Sequence, residues 1–176
     1  DNIDTVLDVH VHGPQPINMA IAVANDYDVI QLYEGTYFEG VVVDTLGKAI
    51  TIRGVANANG TLLSIIDGAN THRVLQCNSN ESAMTVFMNL VIQNGNATGS
   101  WPDNTGGGMY NGNASSPTLI GCTFADNSAT YGGGMLYEED SSPTLDTCRF
   151  ENNTADVEGG GMYNQSSSPT LDTCRF

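Results

Sequence analysis

Cys122, Cys148 and Cys174 are each separated by 26 residues. Thiols at a constant interval raise two chemistries, disulfide formation and metal ligation. Zinc calls for close pairs such as C-x-x-C or H-x-x-x-H, and neither occurs. On successive turns of one stack the three would lie about 4.8 Å apart, inside the Cα range of a disulfide. In-register side chains point the same way, however. The expectation is a ladder of free thiols acting as small apolar groups, with a Cys122–Cys148 bridge as the alternative. Cys77 aligns with a different strand and is expected on another face.

Acidic groups repeat at the same interval. Asp146 and Asp172 are 26 residues apart, with Arg149 and Arg175 each three residues further on. Stacked carboxylates repel, so the arginines are expected to neutralise them; calcium, which favours hard oxygen ligands, is the alternative. These two aspartates are the metal candidates, and no other cofactor is expected. Glu151 and the run Glu138-Glu139-Asp140 complete the acidic set. His10 and His12 alternate in "DVHVHG", which could put two imidazoles on one strand face for a metal, or make a polar edge strand. His72 has no evident partner. Glycoside hydrolysis by inversion needs two carboxylates about 6.5–9.5 Å apart. A uronate lyase needs a base and cations, and the chain has five Lys+Arg. The expectation is a protein without catalytic residues, with a polysaccharide lyase or hydrolase as the second reading.

Six N-x-S/T triplets begin at Asn59, Asn80, Asn96, Asn113, Asn152 and Asn164. In a secreted eukaryotic protein they would accept glycans on surface loops. The formal charge of −15 repels nucleic acid, anionic lipid and acidic polysaccharide at long range. No apolar run reaches the ~18 residues of a membrane span. "DNIDTVLDVHVHG" could be a mature terminus left by signal removal. An extracellular or cell-surface location is expected.

These groups must be positioned by a repeat. "SSPTLDTCRF" occurs at 141–150 and again at 167–176, with "SSPTLIGCTF" at 115–124. Gly-Gly-Gly-Met begins at Gly106, Gly132 and Gly159. Within a copy, the larger apolar residues of "CTF" and "LVI" sit two apart, as on a strand. Between Leu119 and Cys122 the interval is three, so the chain bends at 120–121; Asn89 occupies the same corner in the looser copy "VFMNLVIQNGNA". There Phe87 matches Leu119, Leu90 matches Cys122 and Ile92 matches Phe124. In "KAITIRG", Ile50 and Ile52 are matched to Leu90 and Ile92. Pro117, Pro143 and Pro169 open strands. A unit of 26 residues cannot bury its own core, but it can wrap once as about three strands and stack on its neighbours. Four inner ladders follow: Leu119, Leu145 and Leu171; Cys122, Cys148 and Cys174; Phe124, Phe150 and Phe176; Met109, Met135 and Met162. Tyr110 and Tyr163 follow the core Met and are expected to face outward, for sugar stacking or lateral packing. Leu136 interrupts their column, and Trp101 lies in the loop 95–105.

The pattern "GGGMYN…SSPTL..C.F..N.A" resembles the right-handed parallel β-helix repeat of large extracellular proteins. The earlier part resembles the opening of pectin-lyase-like and carbohydrate-binding/sugar-hydrolase β-helix domains. Gly35, Thr36, Tyr37 and Glu39 match "G-T-Y-x-E", and Lys48, Thr51, Ile52 and Gly54 match "K-x-x-T-I-x-G". The resemblance implies an all-β, right-handed parallel β-helix with three-strand rungs. It says little about activity, since the fold hosts lyases, hydrolases, adhesins and stalks.

One domain over 1–176 is expected: a strand and capping helix in 1–28, irregular rungs in 29–105 and regular rungs in 106–176. "PINMAIAVA" at 16–24 is the capping helix, with Pro16 near its start and Ile17, Ala20, Ile21 and Val23/Ala24 on one side. The last rung is unfinished at Phe176, so more chain or another subunit is expected there. The functional expectation is a structural solenoid (stalk, adhesin segment or filament subunit) that associates end to end and contacts glycans. A carbohydrate-active enzyme and a carbohydrate- or calcium-binding module are the alternatives.

Overall fold

The computed structural model describes residues 5–176. Its strands pair in parallel, each residue stacking on the equivalent residue one turn earlier. Sheet I has seven strands: Val6–Val9, Val29–Leu32, Thr51–Arg53, Val86–Met88, Thr118–Ile120, Thr144–Asp146 and Thr170–Asp172. Sheet II has five: Gly35–Tyr37, Ser64–Asp67, Val91–Gln93, Thr123–Ala125 and Arg149–Glu151. Sheet III also has five: Val43–Asp44, Leu75–Cys77, Met109–Asn111, Met135–Tyr137 and Met162–Asn164. The later turns add a short fourth strand between sheets II and III, so Asn96–Ala97, Ser128–Tyr131 and Thr154–Glu158 form sheet IV.

The corners explain the spacing of the repeat. Between sheets I and II one left-handed residue turns the chain, at Asn89, Gly121, Thr147 and Thr173, with φ of 55°, 60°, 54° and 51°. That residue shifts the side-chain parity, so Leu119 and Cys122 both face the interior although three apart. The glycine triplets serve the other corner. Gly106, Gly132 and Gly159 take positive φ, while Gly107 N–H donates to Gly132 O and Gly133 N–H to Gly159 O. A Cβ on Gly107 would run into the backbone of Ser128 and Gly133, so only glycine lets these turns approach. The third copy carries one extra residue, absorbed by a bulge where Ala129 pairs with Ala155 but Tyr131 with Glu158.

The four ladders stack as expected. Leu119 pairs with Leu145 and Leu145 with Leu171; Met109 pairs with Met135 and Met135 with Met162. Phe124, Phe150 and Phe176 stack face to face, with centroids 5.1 and 4.8 Å apart. Their outer members are less covered: Leu171 is 43% and Phe176 68% exposed, because no turn of the described chain packs over them. The early register differs from the expectation. Ile52 pairs with Phe87 in sheet I, and Ile66 occupies the place beneath Ile92 in sheet II. The cause is the excursion at residues 54–63, which delays the second strand of that turn.

The helix Pro16–Val23 lies against the first turns, with Ile17 and Ile21 buried. Val23 is exposed and Ala24 buried, so the inward side runs through Ala24.

Candidate functional site

The excursion at 54–63 builds a concavity on the side of the solenoid. Where later turns spend one residue on the corner, this turn sends out a hairpin, with Ala56 bridging Leu62 in antiparallel. Asn57 organises its tip: its Oδ1 accepts from Asn59 N–H (3.0 Å) and Thr61 N–H (2.9 Å). The hairpin stands as a wall beside the later corners and the outer face of sheet II. Between them lies a groove of about 600 Å³. Asn59, Thr61 and Leu62 line the wall; Asn89, Val91, Thr123, Thr147, Arg149 and Glu151 form the floor. The lining holds one carboxylate and one guanidinium amid hydroxyls, amides, backbone and the apolar side chains of Ala56, Leu62 and Val91. Such a surface can hydrogen-bond a hydroxyl-rich ligand; two opposed carboxylates, the requirement for inverting hydrolysis, are not in it.

The candidate residues fall as follows. Cys77, Cys122, Cys148 and Cys174 are free thiols. In the ladder, each Sγ donates to a carbonyl one turn down: Cys122 to Phe87 O, Cys148 to Leu119 O and Cys174 to Leu145 O, at 3.5–3.7 Å. The bond with Cys122, then burial, push the Cys148 thiol far up, so it stays protonated. Cys77 lies in sheet III, stacked with Asn111, and burial pushes its thiol up as well. Asp146 and Asp172 stack in register. Among the described residues neither forms an ion pair with Arg149 or Arg175, so the expected neutralisation is not made. Both arginines project from sheet II, around the corner from the aspartates on sheet I. No group of three or more His, Cys, Asp and Glu suited to a metal occurs among the described residues.

His10 and His12 do not share a strand face. The strand ends at Val9, the chain turns with His12 N–H on His10 O, and His10 stacks on Tyr33 at 4.5 Å. His72 Nδ1 lies 2.7 Å from Arg73 O. Of the glycan candidates, Asn59, Asn80, Asn113, Asn152 and Asn164 are exposed. Asn96 Nδ2 donates to Asn70 O and Asn113 Nδ2 to Asn78 O, so those two amides are engaged.

The family described as right handed beta helix region matches residues 48–176. The chain belongs to that family. No curated protein and no solved structure matches it.

In this right-handed β-helix, Tyr110 departs from its expected exposure. Its position does face out from sheet III, but it is buried beneath the Arg73 guanidinium, which also ties down the loop 98–105. Arg73 fastens that loop: Nε donates to Thr105 O (3.1 Å) and Nη2 to Pro102 O (2.7 Å) and Thr105 O (2.6 Å). The guanidinium lies 4.5 Å over the Tyr110 ring, a cation–π contact. Burial lowers the Arg73 pKa to about 10, which leaves it charged at neutral pH. Burial and a hydrogen bond to Glu138 push the Tyr110 phenol far up. Near it runs an aromatic ridge, with Trp101 edge-on to Tyr131 at 5.7 Å and Tyr131 tilted against Tyr163 at 5.6 Å.

Three polar devices of the β-helix were given no task by the sequence motifs. Asn127 is buried; its Oδ1 accepts from Gly95 N–H (2.8 Å), and its Nδ2 donates to Ile92 O and Asn153 Oδ1 (both 3.0 Å). The 26-residue interval between Asn127 and Asn153 was the available signal. Glu81 ties separate turns together, accepting from Thr45 Oγ1, Gly47 N–H, Ser79 N–H and Ser115 Oγ at 2.7–2.9 Å. Burial pushes its carboxyl up, but these bonds outweigh burial and hold it below the usual range. Glu39 and Lys48, already matched as motif residues, clamp the capping helix.

Proposed function

We propose that this right-handed β-helix segment is a non-enzymatic structural element of an extracellular protein: a stalk, an adhesin segment or a filament subunit. The observation that supports this reading is the run of sheet I, seven parallel strands in register from Val6–Val9 to Thr170–Asp172. Stacked backbone hydrogen bonds and side-chain ladders resist bending and stretching along such an axis. The repeated rungs differ little, as suits a spacer. In the filament form of this reading, a second copy adds end to end by the same parallel pairing that joins the turns.

Force spectroscopy and small-angle scattering test the proposal together. A stiff rod with stepwise turn-by-turn unfolding supports it, and concentration-dependent growth of the scattering mass identifies the filament form. Release of reducing or unsaturated ends from neutral or acidic polysaccharides would overturn it in favour of an enzyme.

A second reading is favoured by the groove: a saccharide-contacting module. Its polar floor and hairpin wall suit a neutral, hydroxyl-rich chain better than a polyanion, given the charge of −15. Binding of neutral oligosaccharides that shifts the NMR signals of Thr123 and Thr147 tests it.

A further inference from the structure

The five cations of this chain are not employed alike. Lys48 is spent on helix carbonyls and Arg73 on the loop 98–105. Arg53 Nε donates to Gln31 Oε1 at 2.6 Å. Arg149 and Arg175 remain. Their backbones bridge in parallel, both side chains are exposed, and among the described residues neither guanidinium has a hydrogen bond or ion pair. The acids nearby are Glu151, two residues along the same face, and Asp146 and Asp172 across the corner. Like charges about 4.8 Å apart on neighbouring strands repel. In a chain with 20 acidic residues, this adjacent pair of arginines has no carboxylate bound to it among the described residues and can take an anion from solution.

The geometry points to an oxyanion site at Arg149 and Arg175 that recognises a sulfate or phosphate monoester carried by a saccharide in the groove. It rests on the reading that the groove holds a saccharide. Arg149 lines the groove floor, and Arg175 continues its column just outside. A tetrahedral monoester has three terminal oxygens and can accept from two stacked guanidinia at once. A carboxylate has two, and one guanidinium takes both in a bidentate pair. Thr123 and Thr147, beside Arg149, are placed to bond sugar hydroxyls. The net charge repels dense polyanions beyond a Debye length of about 8 Å. The fitting ligand is therefore a mostly neutral saccharide with isolated ester groups.

The test is a calorimetric and NMR titration with a neutral disaccharide, its monosulfate, its monophosphate and its uronate counterpart, with inorganic sulfate alongside. The monosulfate or the monophosphate should bind at least about tenfold more tightly than the neutral sugar, and the better of the two identifies the ester. Arg149→Gln should abolish that preference. Arg175→Gln should abolish it too while the neutral sugar still binds; an unchanged melting temperature in both shows that the fold is intact. Equal binding of neutral and esterified sugars overturns the oxyanion site and leaves the groove reading standing. Binding of none of the four sugars overturns both. A preference for the uronate, or one that survives both substitutions, overturns the inference. So does inorganic sulfate binding as tightly as the monosulfate, which marks an adventitious ion only.

Discussion

Glu39 and Lys48 hold opposite ends of the same short helix. The Glu39 carboxylate accepts from Ile17 N–H and Asn18 N–H, both at 3.0 Å. Lys48 Nζ donates to Ile21 O, Ala22 O and Ala24 O at 2.6, 3.2 and 2.8 Å. The helix has eight residues, and its N-cap residue Gln15 supplies no capping bond. A helix that short does not persist alone. Its free N–H and C=O groups are met by charges of the sign its dipole favours at each end. Cap and solenoid therefore order together.

Glu39→Gln should destabilise the fold by about 1–2 kcal/mol, since a neutral amide has one acceptor oxygen for two donors. Lys48→Met should cost a similar amount by freeing the last carbonyls. Urea unfolding followed by circular dichroism measures both. Because each end is held separately, the double variant should lose nearly the sum.

Thr147 offers the opposite kind of change. It is β-branched yet sits at φ 54°, where Gly121 and Asn89 stand in earlier turns. A left-handed L-residue costs roughly 1–2 kcal/mol, and Asn tolerates the region better than Thr. Thr147→Asn should raise stability by up to about 1 kcal/mol, or roughly 2–4 °C in melting temperature. Gly121→Thr should lower it, since a Cβ there would meet Asn89 Oδ1 at 2.9 Å.

Asn127 tests the interior. Asn127→Ala leaves the buried Gly95 N–H without its acceptor and removes a donor from Ile92 O, at about 1–3 kcal/mol. Asn153, half-buried, should lose less on the same change. Denaturant midpoints of the two variants, with equal m-values, decide the order.

How far these features could be read in advance follows from their range along the chain. The Leu, Cys, Phe and Met ladders were legible because repetition puts each residue on its own copy. Ile52 was placed one strand wrong because the hairpin at 54–63 breaks the period just where the pattern is loosest. The outward parity of Tyr110 was legible; its cover was not, since that depends on Arg73 reaching Thr105, 32 residues away. The groove has the same origin: one hairpin faces corners supplied by three later turns. Glu39 and Lys48 were visible as motif letters, but their task appears only when the helix is laid between them.

Acid should unfold the β-helix through carboxylates that the fold holds ionised. Hydrogen bonds from Asn25 N–H and Thr5 N–H lower the Asp28 pKa, and the bonds to Glu81 lower its pKa despite burial. A carboxyl with a depressed folded pKa binds its proton more readily in the unfolded chain. Its stabilisation is complete above the unfolded value, about 4. It fades as pH falls through that value and is gone below the folded one. The melting temperature should therefore be steady with respect to these two groups from about pH 7 to 5 and fall steeply below about 4. Glu81→Gln carries no titrating proton, so it should start lower at pH 7 and lose less on acidification. A Glu81→Gln curve that runs parallel to the parent down to pH 2 would show that the four bonds to Glu81 do not govern the acid limb.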